Sequence, residues 1–331
     1  MANFNEKATQ TLFDKNHITE EQFETIKAYR NLNLFSVHNE LKFLLYLSML
    51  MFTSGVGILI YQNIDTIGHT VLLGLLLLAI IISFYFCFKN HSGFKKEETS
   101  FPNPLYDYLV LTAVILSCTF VGYLQFQYQA FGAHYGLATL IPTLISLFCA
   151  YYFDNKSVLS IGITGMAAYL GLSVDPKHYF ENEMFNNTTL SYIGLTFGLV
   201  LLVWSLYANK TNLKKHFSLV YLMFSIHLIG IACLVNLCDD YWFPFGLILA
   251  IVAVYFYNFS FQIRSFFLFI FTVLYAFIGM NIFFVRTLDF IHLDDFFSVF
   301  IFTTPFYFIG SIIGFIKLIK HFNKNTTDDS I

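Results

Sequence analysis

Residues 66–88 read TIGHTVLLGLLLLAIIISFYFCF, a run of 23 positions without one charged side chain. A helix needs about 20 such residues, at ~1.5 Å each, to cross the ~30 Å hydrocarbon core of a bilayer. Apolar and polar residues do not alternate along the run, which excludes a strand of an outer-membrane barrel. The stretch therefore predicts a transmembrane helix.

Similar charge-free windows recur along the chain, at 43–64, 108–153, 157–174, 184–209, 216–238, 241–263, 265–285 and 296–316. Window 108–153 carries Gln125, Gln127, Gln129 and His134 near its middle, so we interpret it as two spans joined by a polar turn. The sequence thus predicts an all-α, polytopic transmembrane helical bundle of about ten spans. These lie near 42–62, 67–88, 107–126, 135–153, 157–174, 190–208, 217–237, 243–261, 265–285 and 297–316.

The composition supports a lipid-embedded protein. Of the 331 residues, 57% are hydrophobic and only 12% are charged, too few charges to cover the surface of soluble domains of this size. Lys and Arg number 18 against 21 Asp and Glu, a net charge of -3 that offers no basic surface for nucleic acid. A soluble domain, a disordered chain and a nucleic-acid binder are therefore excluded.

The distribution of Lys and Arg predicts the orientation. With the N-terminus in the cytoplasm and ten spans, only Lys177 and Arg286 of the 18 basic residues fall outside. Cytoplasmic loops carry such an excess of Lys and Arg, so both termini are expected in the cytoplasm. The abundance of Phe, Ile, Asn and Lys is typical of a bacterial source, and the expected location is the bacterial cytoplasmic (inner) membrane.

Three regions follow from this topology: a cytosolic helical head at 1–36, the transmembrane bundle at 37–318 and a cytosolic tail at 319–331. Within the head, Thr19 is expected to cap a helix by accepting the amide of Gln22, ahead of Phe23 and Ile26 at helical spacing. Phe13, on a preceding short helix, could meet this face. The head is therefore predicted to be a short helical hairpin, too small for a core of its own, which docks on the bundle or on a protein partner.

Two motifs carry a family resemblance. The segment Ile18-Thr19-Glu20-Glu21-Gln22, with Ile26, precedes a first span ending in GVGILIYQN at residues 55–63. Over roughly residues 8–155 the chain resembles an uncharacterised prokaryotic family of multi-pass membrane proteins, domain of unknown function 2157. The resemblance implies a short cytosolic head before several spans, and no activity or site residues.

Polar side chains within the windows are the candidate functional residues, because polarity at mid-bilayer is costly. His227 lies at the centre of window 216–238, and Asn281 lies deep in window 265–285. Thr303 and Thr304 precede Pro305, where the loss of one backbone donor is expected to bend the last span. Each of these residues also has a purely structural reading, as a hydrogen bond between helices or a kink.

No catalytic, cofactor or metal residues are predicted. The sequence has no phosphate-binding GxxxxGK[ST] loop, HExxH, GxSxG or CxxC, and the external group Asp289, His292, Asp294 and Asp295 has no fixed ligand spacing. Three functions remain open. The first is a structural, sensing or assembly role with a partner at the head. The second is a secondary transporter of a small solute through a five-plus-five helix bundle. The third is a membrane enzyme acting on lipid-linked groups.

Overall fold

The computed structural model describes residues 9–15, 17–31, 68–132, 134–174, 188–240, 242–291 and 296–328, with single positions between 41 and 62. By its internal contacts the chain divides into two units, Met1–His69 and Thr70–Ile331. Throughout the described ranges the regular structure is helical and no strand occurs. The long helices are α1 Glu20–Asn31, α2 His69–Asn90, α3 Leu105–Tyr128, α4 Tyr135–Phe153, α5 Lys156–Val174, α6 Thr188–Thr211, α7 Ser218–Leu237, α8 Trp242–Ile263, α9 Phe266–Phe290 and α10 Phe296–Asp328.

Seven of these helices are long and apolar enough to cross a membrane, namely α2, α3, α4, α6, α7, α8 and α9. Helices α5 and α10 lie over two further charge-free windows, and window 43–64 falls mostly outside the described residues. The prediction of an all-helical membrane bundle is therefore confirmed. The boundaries of the ten spans and of the three regions stay a prediction.

The first unit contains the predicted hairpin. Positions 9–14 are helical, and Gln22 N–H donates to the Thr19 hydroxyl at 3.3 Å at the start of α1. In return the Gln22 side chain accepts the Thr19 amide at 3.0 Å, which completes a reciprocal capping box. The rings of Phe13 and Phe23 stack at 4.6 Å, so the two short helices meet as expected.

The polar turn within window 108–153 is organised by one side chain. Gln125, near the end of α3, accepts the Phe131 amide at 2.9 Å and donates to the Gly132 carbonyl at 2.9 Å. Gln125 is only 4% exposed. Its burial is tolerated because its polar atoms are paired with backbone groups that the turn would otherwise leave unpaired. The sequence interpretation of two helices joined here agrees with the observed end of α3 and start of α4.

Helix α7 is the centre of the second unit. Half of its most apolar window is buried, against 22% for α2, whose other side chains are free to face lipid. Phe217 and Tyr221 belong to a core shared with α3, α4 and α5, whereas Leu222, Ile226 and Ile229 belong to a second core with α8 and α9. A change in the position of α7 would therefore disturb both cores.

Contacts between loops show which ends of the helices lie together. The Lys214 amide donates to the Lys96 carbonyl at 2.9 Å, so the α2–α3 and α6–α7 loops meet at one end of the bundle. The opposite end of α7 is closed by Arg286 of α9, whose guanidinium donates to the Leu237 carbonyl at 3.3 Å and also to the Cys238 carbonyl. A cation at a helix C-terminus is favourable, because the last carbonyls are unpaired and carry negative partial charge.

Candidate functional site

A crevice between α5, α6 and α7 is the first candidate site. It encloses about 590 Å³ and is lined mostly by carbon, with Leu190, Phe197, Phe224 and Ile231 among its walls. Volumes of this size are typical of sites for small molecules. The crevice is therefore large enough for a lipophilic ligand and offers little to a strongly hydrated one.

His227 is the polar group in the crevice wall best placed to contact such a ligand. One ring nitrogen, Nδ1, is hydrogen-bonded to the Tyr275 hydroxyl of α9 at 2.9 Å, and Phe271 packs edge-on against the ring at 4.5 Å between centroids. Gly230 permits this arrangement, since an added Cβ would meet the Tyr275 ring at 2.7 Å. The second ring nitrogen makes no hydrogen bond to a described residue, so it can donate to or accept from a ligand.

The other polar groups that line the crevice have partners within the protein. The Ser191 hydroxyl accepts the Asn236 side-chain amide at 2.7 Å, and the Thr164 hydroxyl donates to the Ser160 carbonyl at 2.9 Å. These bonds leave His227 as the group that can orient a molecule in the crevice.

The remaining predicted site residues lie elsewhere. Asn281 donates to the Phe277 carbonyl of its own helix at 2.6 Å and accepts the Tyr307 hydroxyl at 2.6 Å, which joins α9 to α10. Thr304 is half-buried within α10 and makes contacts of its own, while the side chain of Thr303 lies outside the described residues. Neither Asn281 nor Thr304 therefore lines the crevice that contains His227.

A buried cluster of charges, here called the Asp154 cluster, is the second candidate site. The side chains of Asp154, at the C-terminus of α4, and of Lys214, in the α6–α7 loop, are both 0% exposed and form an ion pair at 3.0 Å. His216 contacts the other carboxylate oxygen. The Thr99 amide and hydroxyl donate to the carboxylate at 2.5 and 3.2 Å. One carboxylate thus joins three loops.

Both the side-chain environment and the backbone conformation of Lys214 are unusual. Its Nζ makes no hydrogen bond to a described residue despite the ion pair, and it lies 5.5 Å from the centre of the Phe94 ring. Its backbone adopts φ +50°, and Asp154 adopts φ +62°, a region that lysine in particular seldom enters. Positive φ at such residues persists only where surrounding contacts determine it, so the cluster is a specific structure and not a chance pairing.

His91 lies at the edge of this cluster, in the α2–α3 loop. Its Nδ1 accepts the Gly93 amide at 3.1 Å, so the proton is on Nε2, which is buried without a partner among the described residues. Burial lowers the pKa of His91, and the nearby charge of Lys214 lowers it further, while Asp154 acts in the opposite direction. The folded protein therefore favours the neutral ring.

This lowered pKa predicts a stability that depends on pH. Above about pH 6.5, the pKa of histidine in the unfolded chain, the contribution of neutral His91 to the stability of the folded protein is complete. As pH falls below this value, the unfolded chain binds a proton more readily than the folded protein does, so stability is lost. We expect the thermal midpoint of the protein in detergent to fall further between about pH 7.5 and about pH 5.5 than that of His91→Phe. The phenylalanine retains the ring contacts with Phe101 and Phe153. Equal decreases in the two proteins would contradict the assignment.

The Asp154 cluster was missed by the sequence analysis, which counted Lys214 only as one loop charge among many. One signal was available. Asp154 and Lys156 are the only charges between positions 108 and 174, and they lie in the very short connection between α4 and α5. A charge confined to so short a turn between two membrane helices must either reach water or find a partner, and Asp154 finds partners from two distant loops.

No metal-binding arrangement is found in the part of the chain that the structure describes. No three His, Cys, Asp or Glu side chains are close enough there to hold a metal ion. Of the acidic group Asp289, His292, Asp294 and Asp295, residues 292–295 lie outside the described residues. A polar cavity of about 420 Å³ adjoins the Asp154 cluster, lined by Glu98, Thr99, Ser100, Asp107, Asp154, Asn155 and Lys156.

Comparison with known proteins identifies the N-terminal region. Residues 10–159 match the family described as predicted membrane protein, DUF2157, so the resemblance over residues 8–155 is confirmed. No match was found among curated proteins or among solved structures. The protein is thus a membrane helical bundle, and the description of the family that its N-terminal region resembles names no activity.

Proposed function

We propose that the protein is a membrane-embedded sensor that binds a lipophilic molecule in the α5–α6–α7 crevice. The observation that supports this is the crevice itself, about 590 Å³ of mostly apolar space with His227 in its wall. A ligand there would bury its hydrocarbon against α6 and α7 and place one polar group on the imidazole.

The helices that line the crevice are connected to the Asp154 cluster at one end of the bundle, which supports a sensing role. Helices α6 and α7 both line the crevice, and the loop that joins them carries Lys214 and His216 of the Asp154 cluster. Ser218, at the start of α7, is hydrogen-bonded to Ser205 at 2.7 Å and to Asn209 at 2.8 Å, so α6 and α7 are joined directly beside that loop. A ligand that alters the spacing of α6 and α7 would act on that loop.

We propose further that the protein lies in the bacterial cytoplasmic membrane with both termini in the cytoplasm. The bias of Lys and Arg supports this orientation, as does the hydrogen bond between Lys214 and Lys96, two loops assigned to the same side. The ligand signal would then reach the cytoplasm. Half-exposed Leu12 and exposed Ile26 make the N-terminal head the proposed contact for a protein partner. Labelling of Lys95→Cys from the periplasm would contradict the orientation.

Filling the crevice with a larger side chain is expected to reduce ligand binding strongly. An added Cβ at Gly194 has Ala232 at 3.9 Å as its nearest neighbour, so Gly194→Leu should occupy the crevice without displacing a helix. We expect a medium-chain alcohol carrying a photoreactive diazirine to label α6 and α7 in the wild type, and at least about tenfold less in this variant. His227→Phe, which keeps the volume and removes the hydrogen bond, should weaken labelling by a smaller factor.

The matched control is Gly74→Leu, at a position where an added Cβ has no neighbour within 4 Å and which lies outside the crevice. It should label like the wild type. Equal labelling of all four proteins would overturn the proposal. Net uptake of the probe into vesicles that depends on His227 would replace sensing with transport.

A further inference from the structure

A second groove runs between α8, α9 and α10, at a distance in sequence from the crevice. It encloses about 640 Å³, and its apolar walls include Val254, Phe277, Met280 and Phe315. Gly310 and Gly314 of α10 form its third side, and an added Cβ at either meets no atom within 4 Å. This GxxxG pair therefore makes no close helix contact within the described residues and borders open space.

The groove continues into a row of positive charge. Residues spaced by three and four lie on one face of a helix, so Gly310, Gly314, Lys317 and Lys324 share a face of α10. Both lysines are exposed and neither makes an ion pair with a described residue. Phe322, which is 2% exposed, packs on Phe261 and Phe269 with ring centroids 4.9 and 4.5 Å apart. That contact fixes the rotation of this end of α10.

The length of α10 indicates where the groove and the two lysines lie relative to the bilayer. Its 33 residues extend for about 50 Å, whereas the hydrocarbon core is only ~30 Å thick. The charge-free part, 296–316, is long enough to span the core, and Lys317 is the first charge beyond it. The groove therefore lies at the depth of acyl chains, and the lysines lie at the level of lipid headgroups.

We propose that this groove is a binding site for an anionic phospholipid, with one acyl chain along Gly310 and Gly314 and the phosphate on Lys317 and Lys324. Charge complementarity selects this occupant, because a lipid without net charge would leave the positive charge of the two lysines unbalanced. A second copy packed through the same glycines is disfavoured. A parallel two-fold dimer would bring the lysine rows of the two chains together at the headgroup level.

Lipid binding to the purified, delipidated full chain tests this directly. Native mass spectrometry in a neutral detergent would compare dioleoyl phosphatidylglycerol with dioleoyl phosphatidylcholine. We expect the wild type to prefer the glycerol lipid by about 25-fold, roughly fivefold for each lysine. The double variant Lys317→Gln, Lys324→Gln should lose that preference, while Gly310→Leu, which fills the groove, should weaken both lipids.

A matched control removes two exposed lysines elsewhere, Lys95→Gln with Lys210→Gln, and should leave the preference unchanged. The proposal is overturned if the Lys317 and Lys324 variant keeps the preference, or if both double variants lose it equally. It is also overturned if the wild type is a dimer that Gly310→Leu dissociates, since the groove would then be a contact between copies. Should Gly310→Leu fail to fold, the lysine variants still decide the question.

Discussion

Replacing Asp154 with asparagine is expected to lower the free energy of unfolding by about 3–5 kcal/mol. Asparagine has nearly the same shape as aspartate, but it removes the charge that balances Lys214, whose side chain is 0% exposed. Removing one partner of a buried ion pair leaves the other charge without solvent or counter-ion, which costs far more than the pair itself contributes. Unfolding of the purified protein in mixed micelles, followed by circular dichroism, would measure the change.

The double variant Asp154→Asn, Lys214→Met separates this explanation from a general loss of packing, because asparagine keeps an acceptor for Thr99 and tolerates φ +62°. Because both charges are removed together, it should be much closer to the wild type than Asp154→Asn. A second control is the pair Lys156 and Glu98, at 2.9 Å with side chains 50% and 62% exposed. Breaking this pair with Glu98→Gln should cost no more than about 1 kcal/mol. If Asp154→Asn cost as little as Glu98→Gln, the buried pair would have no special role.

Gly198→Ala is expected to destabilise the bundle by about 1–3 kcal/mol. An alanine Cβ at this position would lie 2.7 Å from Ile229 Cγ1, 3.1 Å from Leu228 Cβ and 3.2 Å from the Ile229 backbone nitrogen. The backbone nitrogen cannot move aside as a flexible side chain can, so α6 and α7 must separate. The same unfolding measurement reports the cost.

The neighbouring glycine supplies the matched control within the same GxxxG motif. At Gly194 the nearest atom to an added Cβ is Ala232 Cβ at 3.9 Å, which is ordinary van der Waals contact. Gly194→Ala should therefore leave stability within about 0.5 kcal/mol of the wild type. Equal effects of the two substitutions would show that helix propensity, and not close packing, governs the motif.

The candidate site was only partly predictable. His227 was identified from its position in the centre of a charge-free window, and the structure adds the crevice and the Tyr275 contact, which no local pattern encodes. Asn281 had an equally polar appearance, yet its side chain is bonded to Phe277 and Tyr307. Two GxxxG motifs look alike in sequence, but Gly198 packs closely against α7 while Gly310 borders a groove.

What the sequence determined by itself is the helical, membrane-embedded character of the chain, the positions of most helices and the capped head. These are local properties, because the length of a charge-free run and the spacing of apolar residues depend only on neighbours along the chain. Only the tertiary structure decided that Asp154 meets His216, 62 positions away, and that Lys214 is buried. The energy of a buried charge depends on which groups surround it in space, and helix packing alone brings those groups together.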